Sequence, residues 1–521
     1  MRVVDFFDRG VPKNKARICT LDYDTGHART FEEVHRASHQ IANALLATGI
    51  VPGVTKVAIW SPNCGRALEC VLGVVRAGAI WVSVNARNSI QDIAYHLDMT
   101  DVEILLYHSD FADQLDTLKS GCNKIRLCVP IEVGNNEAVS VDAWTSGEFA
   151  AAPDLPEDPN AAFAIFSSGG TTGRPKGVVH SHRTWECIVV GVNVAMPPKS
   201  DHPVHLVISP MTHAAGGVTL SLLTVGATQV FMKGFHAPDV LSAIEEKKVT
   251  HLFLPPTAIY SLLADPTVRE RDYSSLEYFF YAAAPMSVAK AREALEVFGP
   301  VMVQGYGQME AGPLIGTYLS ASEHWDALHN NPKRLASCGR PNILTKLRIV
   351  DDTGKQVSVG ERGEIIFGGE FRMREYYKND EATKDTVRDG WVYTGDIGEM
   401  DEDGFVYIVD RKREMIISGG FNVYPGEVEQ VILAHPAVQD CAVVGVPDDK
   451  WGEAVKAVVQ LKQGAQVGDV EIIAFCKERV GSVMAPKSVE FWNELPKSAV
   501  GKVLRRVVRE QFWKGRDRPI V

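Results

Sequence analysis

What this chain is short of narrows it first. Among 521 residues there are nine cysteines and no CxxC pair; the nearest neighbours are Cys64/Cys70 and Cys122/Cys128. That spacing builds neither a zinc ribbon nor a disulfide ladder, and an odd count scattered from Cys19 to Cys476 reads as the reduced thiols of a cytoplasmic protein. Positive charge is scarce too: 54 Lys and Arg against 65 Asp and Glu leave a net charge of −11. An acidic chain gains little from a phosphate backbone, so no nucleic-acid partner is expected, although a local anion site is still allowed. The 44 glycines keep no three-residue period, which excludes a collagen, and no internal repeat or low-complexity tract occurs. With 45% hydrophobic residues the chain is not disordered. One uncharged run, 206–232, is long enough to cross a bilayer. Pro210, His213, Gly216, Gly217 and Gly226 divide it into strand, loop, helix and strand, so no integral membrane segment is expected. The opening MRVVDFFD is too charged for a signal peptide, and the cytoplasm is the expected location.

What is present is alternation. Phe31, Val34, Ile41 and Leu45 recur at helical spacing behind a Thr30/Glu33 capping pair. Strand-like runs at 57–60, 80–84 and 104–107 alternate with helical ones at 67–77 and 90–97, the signature of a parallel, doubly wound sheet. After Pro153, Pro156 and Pro159 the pattern restarts and runs to about 330, which predicts a second such unit. Short strands at 347–350, 364–367 and 405–409 separated by Gly-rich turns predict a β meander or small barrel over about 335–410. Mixed strands and helices follow, with a helix opening at Pro425. The expected architecture is a large α/β N-terminal domain, 1–410, holding two doubly wound sheets plus a small β-barrel, and a small mobile α+β domain, 411–521.

The strongest local signal is SSGGTTGRPKG, residues 167–177, directly after an apolar strand. Gly169, Gly170 and Gly173 free the backbone, Ser168, Thr171 and Thr172 supply hydroxyls, and Lys176 adds a charge; together these suit phosphate oxygens. The P-loop pattern does not fit, because Pro175 precedes the lysine and Gly177 follows it. Five further stretches occur in order: YAAAPM at 281–286, QGYGQME at 304–310, YTGD at 393–396, DRKREMIISGG at 410–420 and PKSAVGK at 496–502. Taken with the first, they resemble the motif series of the adenylate-forming superfamily, which includes acyl-CoA synthetases.

The resemblance implies a two-step ligase using ATP, Mg²⁺ and coenzyme A: a carboxylate attacks the α-phosphorus, and a thiol then displaces AMP. It implies that Thr171, Thr172 and Lys176 hold the departing phosphates, that Glu310 binds Mg²⁺, and that Tyr306 and Gly307 face adenine opposite Ala283, Ala284 and Pro285. Asp396 would bind ribose with help from Arg411, and Lys502 would join the α-phosphate to the substrate carboxylate. Arg413 would be the hinge between domains, and Gly419 and Gly420 would line the tunnel for the thiol. His213 would border the carboxylate, with Ala214, Ala215, Gly216, Gly217 and Met309 around the acyl group. The motif's threonine is Met309 here, and a thioether donates no hydrogen bond. No Asp lies between Ser209 and Lys233 to pair with an amino group, so a fatty or aryl acid is expected rather than an amino acid. Two other functions stay open: an acyl-AMP ligase that loads a carrier protein, and an inactive nucleotide-binding scaffold. Association into a homo-oligomer is also left open.

Overall fold

The computed structural model describes residues 1–132, 140–147, 149–168, 175–448, 451–497 and 503–514. The helix Phe31–Ala47 begins where expected: Thr30 Oγ1 accepts the Glu33 N–H at 3.2 Å, and the Glu33 carboxylate accepts the Thr30 N–H at 2.7 Å. A cap of this kind is worth about 1 kcal/mol. The helix buries Phe31, Val34, Ile41 and Leu45, the residues its periodicity pointed to.

Two large sheets carry the body. The first has seven strands, in the order Glu375–Tyr376, Gly177–Ser181, Ala162–Ser167, Ile80–Ser83, Lys56–Trp60, Val102–Tyr107 and Leu127–Pro130. The last five pair in parallel, and Ile80–Ser83 is buried at every position, as a strand covered on both faces requires. The second sheet has nine strands running from Arg340–Pro341 through Thr317–Leu319, Met302–Tyr306, Tyr278–Tyr281, His251–Leu254, Val204–Val207 and Thr228–Phe231 to Ile18–Asp22 and Ala28–Thr30.

The two units are interleaved rather than consecutive. Ile18–Asp22 crosses to the second sheet and pairs with Thr228–Phe231. Ala162–Ser167 and Gly177–Ser181, which follow the proline-rich break, complete the first sheet instead of opening the second. Hydrophobic alternation reports that a strand exists and how deeply it is buried, but not which sheet edge it joins.

The expected meander is a five-stranded antiparallel sheet. Its longest member, Trp391–Met400, falls between the predicted strands. Gly395, Asp396 and Gly398 disguise it: Gly395 takes φ +70°, which favours glycine, and the register shifts at Ile397/Gly398. A separate five-stranded sheet over 416–491, backed by helices Pro425–Leu433 and Asp469–Met484, forms the C-terminal α+β unit. Among the described residues no helix is long and apolar enough to cross a membrane, and all nine cysteines are free thiols.

Candidate active site

The parallel strands Tyr278–Tyr281 and Met302–Tyr306 lie side by side, with Tyr281 opposite Gln304. The segments 282–286 and 307–311 therefore leave the sheet together at its carboxyl edge, where open α/β sheets take their ligands. Ala283 has φ +75°, a left-handed conformation that costs a non-glycine roughly 1 kcal/mol. Gly307 cannot be replaced freely, since a Cβ there would lie 2.8 Å from the Gly312 carbonyl oxygen.

Three elements meet at Asp396, which is 4% exposed. Tyr306 Oη donates to its Oδ2 at 2.6 Å, Gln308 Nε2 donates to the same oxygen at 2.7 Å, and Arg411 Nε faces Oδ1 at 2.6 Å. The pairing of Trp391–Met400 with Val406–Arg411 sets this up by placing Asp396 directly opposite Arg411. Burial, and then the Asp396 charge, push the Tyr306 phenol well above its ordinary value, so it stays a donor. Its ring sits 5.5 Å from that of Phe367, tilted by 46°.

Glu310 is arranged differently. It is half-buried, and Tyr376 Oη donates to its Oε1 at 2.7 Å. Among the described residues Oε2 has no hydrogen-bond or ion-pair partner, which leaves a hard oxygen for a cation such as Mg²⁺. The ammonium of Lys176 lies 4.5 Å from the centroid of the Tyr376 ring. The loop that carries Lys176 is stapled at its described ends: Ser168 N donates to Lys176 O at 2.8 Å, and Lys176 N donates to Ser168 Oγ at 2.9 Å. Gly169, Gly170, Thr171, Thr172 and Gly173 fall outside the described residues.

Behind Glu310 lies a buried histidine that the sequence did not single out. His180 Nε2 is 2.6 Å from the Met309 carbonyl oxygen, and Trp185 Nε1 donates to His180 Nδ1 at 3.1 Å. Burial lowers the His180 pKa to about 4, so the ring is neutral.

His213 stands apart from both carboxylates. Its Nδ1 donates to the Thr212 carbonyl at 2.8 Å, and Asn85 Nδ2 approaches Nε2 at 3.5 Å. Burial lowers its pKa. The small residues after it serve packing: a Cβ on Gly216 would lie 1.9 Å from the Met211 carbonyl, and one on Gly217 would lie 2.4 Å from Leu314 Cδ1. A cavity of about 190 Å³ adjoins Asn85, Arg87, Met211 and Thr212, next to His213 in sequence.

In the C-terminal unit, Gly419 and Gly420 form the two-residue turn between Ile416–Ser418 and Phe421–Val423, with φ of +60° and +82°. That hairpin requires both glycines on local grounds. Arg413 lies close enough to Tyr376 for its charge to act on the phenol. Lys502 is outside the described residues. Three positions later Arg505, 19% exposed, is the hub of an ion-pair cluster. It contacts Asp410 at 2.7 Å, Glu414 at 2.5 Å and Glu429 through Nε at 2.7 Å. Nothing in the sequence distinguishes it from its basic neighbours.

One other group has the right elements for a metal. Cys64, His108 and Glu132 converge at the ends of neighbouring strands. His108 Nδ1 already accepts the Asp110 N–H at 3.1 Å, so Nε2 carries the proton and faces Glu132 at 2.8 Å. A protonated Nε2 offers no lone pair to a metal, so this is a histidine–carboxylate contact and not a ligand set.

The family model described as AMP-binding enzyme matches residues 7–377, and that for the AMP-binding enzyme C-terminal domain matches 427–502. The chain is 35% identical over 491 residues to feruloyl-CoA synthase of an Amycolatopsis species, covering 94% of each. It is 39% identical over 497 residues to medium/long-chain-fatty-acid–CoA ligase FadD8 of Mycobacterium tuberculosis, covering 92% of this chain and 85% of that one. Amide bond synthetase McbA from Marinactinospora thermotolerans superposes with a TM-score of 0.87 at 28% identity, over 98% of this chain and 100% of that one.

Proposed function

Because the chain belongs to the AMP-binding enzyme family, within the adenylate-forming superfamily of acyl-CoA synthetases, we propose that it is an ATP-dependent carboxylic acid–CoA ligase acting on an apolar acid. The carboxylate attacks the α-phosphorus of ATP, giving acyl-adenylate and pyrophosphate. The CoA thiolate then attacks the acyl carbonyl, forming a thioester and releasing AMP.

The observation that carries this reading is the pair of carboxylates around the segment 306–310: Asp396 bonded on both oxygens, and Glu310 with one oxygen open among the described residues. Asp396 has a remaining lone pair for a ribose hydroxyl, and Arg411 and Tyr306 fix its direction. Adenine then lies between Tyr306 and the backbone of Ala283, Ala284 and Pro285, with Gly307 allowing close approach. Bringing an anion onto a polyanion requires positive charge at both the attacking and the leaving oxygens. Lys176, with the 168–173 loop, serves the leaving side. Lys502 serves the attacking side. Mg²⁺, when bound at Glu310, neutralises phosphate charge.

That neither family model covers 378–426 supports a domain boundary at 410/411 and a hinge at Arg413. The names of the two curated relatives, a feruloyl-CoA and a fatty-acid–CoA enzyme, support an aryl or aliphatic acid, with His213 and Met309 near its carboxyl end. Nine free thiols fit the cytoplasm. The test is pyrophosphate release across acids of graded chain length and ring content, followed by thioester formation with CoA and with a carrier protein in parallel. Acid-dependent pyrophosphate with a CoA thioester supports the reading. Pyrophosphate with transfer to the carrier alone replaces it by an acyl-AMP ligase, and no pyrophosphate with any acid replaces it by a scaffold.

A further inference from the structure

We propose that His180 is a positioning residue for Glu310: it fixes the Met309 carbonyl and so sets the direction in which the next residue presents its carboxylate. The inference rests on the reading of Glu310 as the residue that holds Mg²⁺ with the nucleotide.

The tautomer follows from chemistry. The Trp185 indole N–H can only donate, and it points at His180 Nδ1 at 3.1 Å. Nδ1 is therefore unprotonated, and Nε2 carries the hydrogen that it gives to the Met309 carbonyl at 2.6 Å. Trp185 is itself held, its ring stacked on Phe166 at 5.7 Å and 18°, and Phe166 lies 5.1 Å from the imidazole. His180 is 0% exposed, so the contact is made without competition from water.

Glu310 is framed from the other side as well. Met373 N donates to the Glu310 carbonyl at 2.9 Å, and Tyr376 Oη holds its Oε1 at 2.7 Å. The two flanking segments are joined to each other, since Val178 and Val179 pair with Tyr376 and Glu375. The contacts close a ring: His180 to Met309, Glu310 to Met373 and Tyr376, and Tyr376 back to the strand that carries His180. That strand, Gly177–Ser181, also begins one residue after Lys176. The phosphate-loop lysine and the Glu310 carboxylate are thus built on one rigid unit. The side chain at 309 is a thioether with no donor, so orientation at this point comes from the backbone. A buried imidazole is a costly way to fill space, and its removal would leave a buried carbonyl unpaired.

The test measures ATP affinity by titration calorimetry with Mg²⁺ and again with EDTA, in the absence of acid so that nothing turns over. The wild-type protein should bind ATP more tightly with Mg²⁺. In His180→Ala that metal-dependent gain should fall about tenfold, while affinity in EDTA changes less than twofold. His180→Gln keeps an N–H donor and should recover the gain to within threefold. Trp185→Phe keeps the ring but frees the tautomer, and should fall between the two. Melting temperatures are recorded for each; if the alanine variant does not fold, the Gln and Phe variants carry the same comparison. Equal losses with and without Mg²⁺, or a lower melting temperature with the gain intact, would overturn the proposal and leave His180 a packing residue. A wild-type protein indifferent to Mg²⁺ would overturn the Glu310 assignment and the positioning role with it.

Discussion

Asp396, which is bonded to Tyr306 and Gln308, and Glu310, two residues after Gln308, are built to opposite rules. Asp396 is buried and meets Tyr306, Gln308 and Arg411, all within the protein. Glu310 is half-exposed and, among the described residues, has one donor on one oxygen and none on the other. A carboxylate with its bonds already made is pre-organised: a ligand meets it in its final direction and little ordering is left to do. A carboxylate with an unused oxygen is arranged for something that brings its own positive charge. That difference is what the proposed function uses when it gives the nucleoside to Asp396 and the metal–phosphate end to Glu310.

Asp396→Asn should break the comparison most severely. It removes the charge facing Arg411 and one acceptor, and acid-dependent pyrophosphate release should fall about a hundredfold, or about 2.7 kcal/mol of barrier. Because the contacts exist without ligand, the free protein should also lose about 1–3 kcal/mol of stability, measured by denaturant unfolding. Glu310→Gln should separate the two effects: pyrophosphate release falls by about tenfold or more, and the metal requirement rises, with the unfolding midpoint unchanged.

Acid sharpens the contrast, because the frame behind Glu310 contains a histidine and the shell of Asp396 contains none. The His180 pKa is lowered from 6.5 to about 4, so the unfolded chain binds a proton there that the folded chain does not. Its contribution is fully present above pH 6.5 and lost as pH falls toward 4, by up to about 3 kcal/mol. His180→Gln should flatten the dependence of melting temperature on pH by that share and leave the neutral value close to wild type. Tyr376→Phe should have the smallest effect. Losing one hydrogen bond to Glu310 costs about 1 kcal/mol, a fall of about fivefold in pyrophosphate release at limiting Mg²⁺ that higher Mg²⁺ restores.

The uneven legibility of the site has physical causes. Asp396, Arg411, Tyr306 and Glu310 sit in short motifs whose order along the chain could be read directly, and the structure brings the first three into contact. Glu310's partner Tyr376 lies 66 residues away in sequence, and only the pairing of Glu375–Tyr376 with Val178–Val179 brings it close. Arg505 is not legible because its helix carries three arginines, and their spacing does not say which one turns inward. The helix Phe31–Ala47 was legible because one face is apolar and both capping residues are local. Strand Trp391–Met400 was hidden by the glycines that let it bend around Asp396. The sequence shows that small residues follow His213 but not what packs on them: Met211 and Leu314 lie against Gly216 and Gly217.

The most direct test of the central claim is mass spectrometry of the products formed from ATP, Mg²⁺ and an aryl or aliphatic acid, before and after CoA is added. The account predicts acyl-AMP and pyrophosphate first, then acyl-CoA and AMP, with the first stage slowed about a hundredfold in Asp396→Asn. ADP and inorganic phosphate as products, or acyl-AMP formed at full rate by that variant, would contradict it.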